Sequence, residues 1–148
     1  MPRNRYSFPA KLQHQPDGSF LVRFPDLPEA LTDGATEAEA LAEAADCLSE
    51  ALAGRIRRGE SIPVPSPVAR TLRSVVPDTT VALKAALYSG LRQARLTIAD
   101  LAHDLRIDER KAARLVDPRV ASSLADLEHV LAALGYVVDI EVRLISVA

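Results

Sequence analysis

Apolar and polar residues alternate at the start of the chain with the two-residue period of a half-buried β-strand. The apolar positions are Tyr6, Phe8, Ala10 and Leu12. Asp17 and Gly18 follow as a hairpin turn, because glycine tolerates the positive φ that such turns need, and residues 19–24 form the returning strand. Prolines interrupt residues 25–34, which predicts a loop with a short edge strand near residues 30–32.

The pattern then changes to the three- and four-residue spacing of a helix. Thr36 and Glu39 have the spacing of a capping box, and Gly59 ends the pattern. The apolar stripe expected to pack on the sheet consists of Leu41, Ala45, Leu48, Leu52 and Ile56. Residues 63–80 contain four prolines and predict a stiff, extended linker that holds at most one short strand, at 72–76.

The chain after this linker is predicted to be helical, and each helix is preceded by a side chain that can cap it. The predicted caps are Thr80, Thr97, Asp108 and Ser123, and the predicted helices extend to Arg95, Leu105, Val116 and Gly135. Residues 136–145 alternate again and predict a last strand with one polar edge. The sequence therefore predicts an α+β fold: a sheet-and-helix domain at 1–66, a proline-rich linker at 67–78, and a helical domain at 79–148 that ends in a strand.

Composition limits the class of protein. With 148 residues and 48% hydrophobic content the chain can bury a core, and its single cysteine, Cys47, cannot form an internal disulfide. No apolar run approaches the roughly 18 residues that span a bilayer, and the N-terminus lacks the pattern of a signal peptide. We therefore expect a cytoplasmic protein with no membrane partner.

Charge is distributed unevenly along the chain, although its formal net value is only −2. Residues 1–66 carry seven Lys and Arg against ten Asp and Glu, a net of −3. Residues 81–119 carry eight against five, a net of +3, and residues 120–148 carry one against four, again −3. This distribution favours an anionic partner for the middle block, while an ordinary solvated surface remains the alternative.

The helices predicted at 97–105 and 108–116 have the length and close spacing of a helix-turn-helix. Ala102, Ile107, Ala112 and Leu115 are expected to be buried between them. The outward residues of the second helix, predicted to enter the major groove of DNA, are Glu109, Arg110, Lys111, Ala113 and Arg114. Thr97 and Arg119 are predicted phosphate contacts.

Two features leave it open whether these two helices form a helix-turn-helix. A plain helical bundle with solvated charges would show the same pattern. The turn also holds Arg106 where glycine is usual, so this residue must accept or avoid a positive φ.

Three segments resemble the signature of the HicB antitoxin family: residues 24–41, 44–48 and 59–66. The C-terminal part is similar to the Xre/Cro-type helix-turn-helix of one branch of that family, so the two resemblances cover nearly the whole chain. They imply a partial ribonuclease-H-like N-terminal domain without nuclease activity. They also imply a partner, HicA, a small toxin with a double-stranded-RNA-binding fold that cleaves messenger RNA using a histidine. The pair would repress its own operon as a dimer or larger assembly.

The residues agree with a protein that is not an enzyme. A metal-dependent nuclease needs several converging carboxylates, and residues 5–14 contain no Asp or Glu. The three histidines, His14, His103 and His129, lack the spacing of metal ligands, so we expect neither a metal nor another cofactor. The alternative function is a stand-alone helix-turn-helix transcriptional regulator whose N-terminal domain binds another ligand or partner.

Candidate contacts follow from this interpretation. An RNA-binding toxin should be cationic, so the acidic N-terminal domain should attract it. The predicted toxin contacts are Asp17, Phe20, Phe24, Asp26, Glu29 and Asp33, although the two aromatic residues could equally fill the core. The last strand would offer an open edge to a second copy, through Tyr136, Val138, Ile140 and Val142.

Overall fold

The computed structural model describes residues 5–144, and its N-terminal part is an antiparallel sheet of four strands with one helix. The strands are β1 (Phe8–His14), β2 (Phe20–Phe24), β3 (Leu27–Gly34) and β4 (Arg73–Val75), in the spatial order β3-β2-β1-β4. The predicted hairpin turn is confirmed, with Gly18 at φ +90°. The edge strand β3 is longer than predicted, because an edge position tolerates Pro28, whose missing N–H is not needed for pairing on the open side.

The strand β4 comes from the stretch predicted as a linker. It pairs antiparallel with β1, so that Phe8 lies opposite Val75 and Ala10 opposite Arg73. Arg73 also forms an ion pair with Glu37. The short strand predicted within residues 72–76 is therefore confirmed, and it completes the N-terminal sheet.

The helix α1 (Glu37–Arg58) packs on this sheet. The hydroxyl of Thr36 accepts the N–H of Glu39, and Gly59 ends the helix in the left-handed conformation, as predicted. In the first two turns of the predicted stripe, Leu41 and Ala45 pack against the N-terminal core but are only half-buried, whereas Ala40 and Ala44 are fully buried. Alanine leaves no bulky side chain between the helix and the strands, so these turns can approach the sheet closely.

The remaining helices form a second core. They are α2 (Thr79–Ala94), α3 (Ile98–Leu105), α4 (Glu109–Val116) and α5 (Leu124–Ala133), and their buried side chains include Leu87, Leu101, Ala112, Leu127 and Leu131. The cap of α2 is Asp78 and not Thr80 as predicted. The Asp78 carboxylate accepts the N–H groups of Thr80 and Val81, and an anion at this helix end is also favoured by the helix dipole.

The last predicted strand is not formed. Residues 136–144 belong to no helix or strand, and Ile145 lies outside the described residues. Val142 and Leu144 are 91% and 98% exposed. A strand needs a neighbour to accept and donate its backbone hydrogen bonds, and no strand of the described chain pairs with this segment.

The two cores meet where α1 ends. Ile56 of α1 belongs to the helical core, the hydroxyl of Tyr88 donates to the carbonyl of Glu60 (2.7 Å), and Arg92 donates to the carbonyl of Gly59 (3.1 Å). The helix α2 is thereby fixed against the end of α1. Between residues 5 and 144, no helix is long and apolar enough to cross a membrane.

Candidate functional site

The helices α3 and α4 are joined by a tight turn at residues 106–108. Thr97 and Asp100 form the predicted capping box at the start of α3, with both reciprocal hydrogen bonds present. Arg106 accepts the left-handed conformation (φ 55°), and the N–H of Ile107 donates to the carbonyl of Ala102 (3.0 Å). Asp108 then caps α4, as predicted. The bounds, the caps and the tight turn of α3 and α4 agree with those predicted from the sequence.

Arg106 provides a stability prediction, because a residue with a Cβ pays about 1–2 kcal/mol to adopt the left-handed conformation. Arg106→Gly removes that cost, and the extra chain entropy of glycine offsets about 0.5–1 kcal/mol of it. We expect the free energy of unfolding to rise by about 0.5–1 kcal/mol. Thermal unfolding measures the change. Arg106→Ala, which removes the same charge but keeps the Cβ, is the control, and a glycine variant no more stable than the alanine variant would contradict the argument.

One face of α4 is buried and the other is open. Ala112, Leu115 and Val116 face the core. Every predicted base-contacting residue is exposed: Glu109, Arg110, Lys111, Ala113 and Arg114. Within residues 5–144 the three cations of this face take part in no ion pair, so their charge is free to meet an external anion. We call Arg110, Lys111 and Arg114 the cationic face.

A surface groove runs beside the cationic face and reaches the beginning of α5. Its lining residues are Asp108, Arg110, Lys111, Arg114, Leu115, Ala121, Ser122, Ser123 and Asp126. Ser123 caps α5 by accepting the N–H of Asp126. One wall of the groove carries the exposed cations, and the other is the N-terminal end of α5, where the helix dipole favours an anion. The carboxylates of Asp108 and Asp126 also line the groove.

Arg119 is already engaged within the chain. Its guanidinium donates twice to the carboxylate of Asp117, at 3.0 Å each, and this pairing lowers the pKa of Asp117. Since the Arg119 side chain is also largely exposed, a phosphate would have to share the guanidinium with Asp117. The predicted contact at Thr97 is exposed, with its hydroxyl used in capping α3.

Behind the cationic face lies Lys84 of α2, whose side chain is fully buried. Its Nζ donates to three backbone carbonyls, those of Arg114 (3.1 Å), Asp117 (2.7 Å) and Val120 (2.5 Å). Three acceptors require three N–H donors, so the amine is an ammonium. Burial lowers the pKa of Lys84, and the charge of Asp117 opposes that effect.

Most of the acidic candidates in the N-terminal domain have partners within the chain. The Asp17 carboxylate accepts from Ser19, that of Asp26 accepts from the backbone N–H and hydroxyl of Ser66, and that of Glu29 pairs with Arg55. Hydrogen bonding to Arg55 lowers the pKa of Glu29, so this carboxylate stays ionised. Asp33 is exposed and has no such partner among the described residues.

The aromatic candidates differ from one another. Phe20 is half-buried, with its ring 4.8 Å from that of His14, and so keeps an accessible surface. The structure contradicts the prediction of Phe24 as a surface anchor, because its side chain is 2% exposed within the N-terminal core. Phe24 and Val22 lie on the same face of β2, the face that α1 covers, and an aromatic ring gains most from complete burial there.

Comparison with known proteins identifies the family. A family model described as a HicB-like antitoxin of bacterial toxin–antitoxin systems matches residues 7–86. The protein named Antitoxin HicB 1 of Photorhabdus laumondii is 30% identical over 136 residues, which cover 92% of this chain and 86% of the relative. Antitoxin HicB of Escherichia coli is 32% identical over 128 residues, or 86% of this chain and 93% of the relative. This chain belongs to the HicB-like antitoxin family.

The family match has a definite extent. In this HicB-like chain the family model matches the four-stranded sheet, α1 and the first half of α2, and the match ends before α3. The longer alignments with the HicB relatives cover most of the helical part as well. The assignment of the cationic face therefore depends on the geometry of α3 and α4. Among the described residues, no cluster of His, Cys, Asp or Glu could hold a metal ion.

Sequence reasoning did not select Lys84. It lies next to Leu83 and three residues before Leu87, so it interrupts the apolar face of α2. A lysine in that position is a usable signal, because a cation among buried positions needs partners. The hydrogen bond between Asp26 and Ser66 could not be recognised in the sequence in the same way, since an aspartate and a serine forty residues apart form no pattern.

Proposed function

We propose that this HicB-like chain binds and covers a HicA-like, mRNA-cleaving toxin through its N-terminal domain and represses its own operon by binding operator DNA through α3 and α4. In this proposal the protein is not an enzyme and acts in the cytoplasm, where messenger RNA and the operon are found. The observation that carries the DNA-binding part is the cationic face, three cations that form no ion pair with any described residue and lie beside a groove. Family membership supports the toxin-binding part.

The DNA-binding part rests on the orientation of α4. Arginine and lysine on an exposed helix face can read guanine edges and phosphates in the major groove, while Glu109 can accept from cytosine. The start of α5, across the groove, is a helix N-terminus whose dipole favours a phosphate, although Ser123 already accepts the N–H of Asp126. Binding of the chain to a duplex carrying its own promoter, compared with an unrelated duplex of equal length, tests this part. Equal affinity for the two duplexes would overturn it.

The toxin-binding part rests on net charge and on accessible side chains. Residues 1–66 carry a net charge of −3, and Asp17, Phe20 and Asp33 remain accessible after the structure assigns Phe24 to the core. Asp26 and Glu29 contribute negative charge while they stay bound to Ser66 and Arg55. Co-expression of the full chain with the small basic protein encoded beside its gene should give a stable complex and restore growth. Failure of both would overturn this part.

Self-association is proposed through residues 136–144. In this segment Tyr136 and Val138 pack against the chain's own core, since the Tyr136 ring lies over Gly90, whereas Ile140 and Val142 are exposed. A second copy could supply the strand partner that this segment does not find among the described residues of its own chain. Two linked copies would also place two α4 helices on successive half-sites of an operator.

Val142→Asp should prevent this association, because it puts a charge on the paired apolar surface without disturbing the single chain. We expect the dissociation constant of the dimer, measured by analytical ultracentrifugation, to rise by about tenfold or more. Val137→Asp is the matched control, since Val137 is equally exposed but lies on the alternate face. Loss of the dimer in both variants, or in neither, would contradict the assignment.

A further inference from the structure

Lys84 and the groove beside α4 are connected through the backbone. Of its three carbonyl partners, that of Arg114 belongs to the last turn of α4, and those of Asp117 and Val120 belong to the connection that leads to α5. The cationic wall of the groove and the wall formed by the start of α5 are therefore held by one ammonium group.

The physical setting makes this anchor specific. The last carbonyls of α4 have no partner within the helix, and the dipole gives that end a partial negative charge. A buried ammonium with all three N–H donors in use gives these carbonyls a donor and places a positive charge at the negative end of the helix. Its hydrogen bonds fix the direction of the carbonyls as well as their distance. An apolar side chain could fill the same volume but could not hold three carbonyls at one point.

We propose that Lys84 is the positioning residue of the DNA-binding surface: it holds α4 and the residue 117–123 connection in the single arrangement that fits an operator. This inference rests on the proposed function. Lys84 is fully buried and cannot touch DNA, so it acts through the cationic face and the start of α5. Losing the ammonium should weaken recognition of sequence without removing any contact with phosphate.

The test compares Lys84→Met with Val130→Ala in the full chain. Val130 is buried in the same core but lies on α5 and takes no part in the three hydrogen bonds of Lys84, so its truncation loosens packing and leaves the ammonium in place. For Lys84→Met we expect about a tenfold loss of affinity for the promoter duplex, because base contacts depend on the placement of α4. Affinity for an unrelated duplex should fall much less, since every phosphate-contacting group is still present and contacts with phosphate do not depend on the register of base edges.

Hydrogen exchange without DNA provides a second readout. The N–H of Asp117 donates to the carbonyl of Ala113 in α4, and that of Val120 donates to the carbonyl of Asp117. Lys84→Met should therefore speed the exchange of both N–H groups more than Val130→Ala does. Promoter affinity equal to that of the wild type, or reduced no more than in Val130→Ala, would overturn the proposal.

Should Lys84→Met fail to fold, Lys84→Gln, which retains two N–H donors, is judged by the same comparison. If the wild-type chain does not distinguish its promoter, the proposed function fails, and exchange at residues 114–123 still decides whether Lys84 fixes the connection.

Discussion

Replacing Arg110 and Arg114 together by alanine should lower affinity for the operator by about 100-fold or more. Each guanidinium that pairs with a base edge contributes about 1–3 kcal/mol of discrimination, and each that meets a phosphate contributes to the salt dependence of binding. The two side chains are exposed and lie outside the buried face of α4, so the fold should be unaffected. Gel-shift titrations over a range of salt concentrations measure both effects.

A matched variant separates the geometry of α4 from net charge. Arg23→Ala with Arg57→Ala removes two exposed arginines from the N-terminal domain and changes the net charge equally. It should leave operator affinity within about twofold of the wild type, because fields from distant surface charges are screened at physiological salt. An equal loss in the two double variants would mean that binding depends on overall charge and not on the cationic face. The Arg110 and Arg114 variant should still bind the toxin.

The elements that the sequence predicted well are those whose partners lie within a few residues. Thr36, Thr97, Asp108 and Ser123 accept the backbone N–H three positions ahead, as their spacing predicts. Gly18 adopts the positive φ that its turn needs. Such contacts are encoded locally, so a short pattern is enough to identify them.

Where two local options compete, the pattern cannot decide. Thr80 and Asp78 both suit the start of α2, and the aspartate is the cap because its carboxylate accepts two N–H groups and carries the favourable charge. Arg106 is a similar case. The tight turn between α3 and α4 imposes a positive φ on Arg106 despite its side chain. The sequence alone left open whether this residue adopts or avoids that conformation.

Contacts between distant residues could not be predicted. The pairing of β4 with β1 joins segments more than sixty residues apart, and three residues of a proline-rich stretch give little strand signal by themselves. The carbonyls that receive Lys84 lie thirty to thirty-six residues beyond it, and a carbonyl leaves no trace in a sequence because every residue has one. The role of Lys84 therefore became visible only in three dimensions.

The final segment shows the limit of pattern in another way. Alternation at residues 136–144 predicts a strand correctly only if a neighbouring strand exists, and residues 5–144 of a single chain provide none. Phe24 is the converse case. Its place in the returning strand was predicted correctly, but its burial shows that it belongs to the core. In both cases the backbone preference is local, while the outcome depends on what lies beside it.

Phe8→Ala should unfold the N-terminal domain or bring it close to unfolding. The ring of Phe8 is fully buried, and its residue pairs with Val75, so it holds β4 against β1 as well as filling the core. Truncating a buried phenylalanine costs about 3–5 kcal/mol, a large part of the 5–15 kcal/mol typical of a whole domain. Urea denaturation followed by circular dichroism should show an earlier midpoint, and the variant should no longer restore growth of cells that express the toxin.

Lys11→Ala is the control for this loss, because Lys11 is on the same strand but exposed on the opposite face. Its effect on the free energy of unfolding should stay within about 0.5 kcal/mol. A variant at Phe8 as stable as the one at Lys11 would contradict the structure of the core. A destabilised Phe8 variant that still protects cells would instead show that neutralisation does not need the folded sheet, and the assignment of toxin binding to that domain would have to be abandoned.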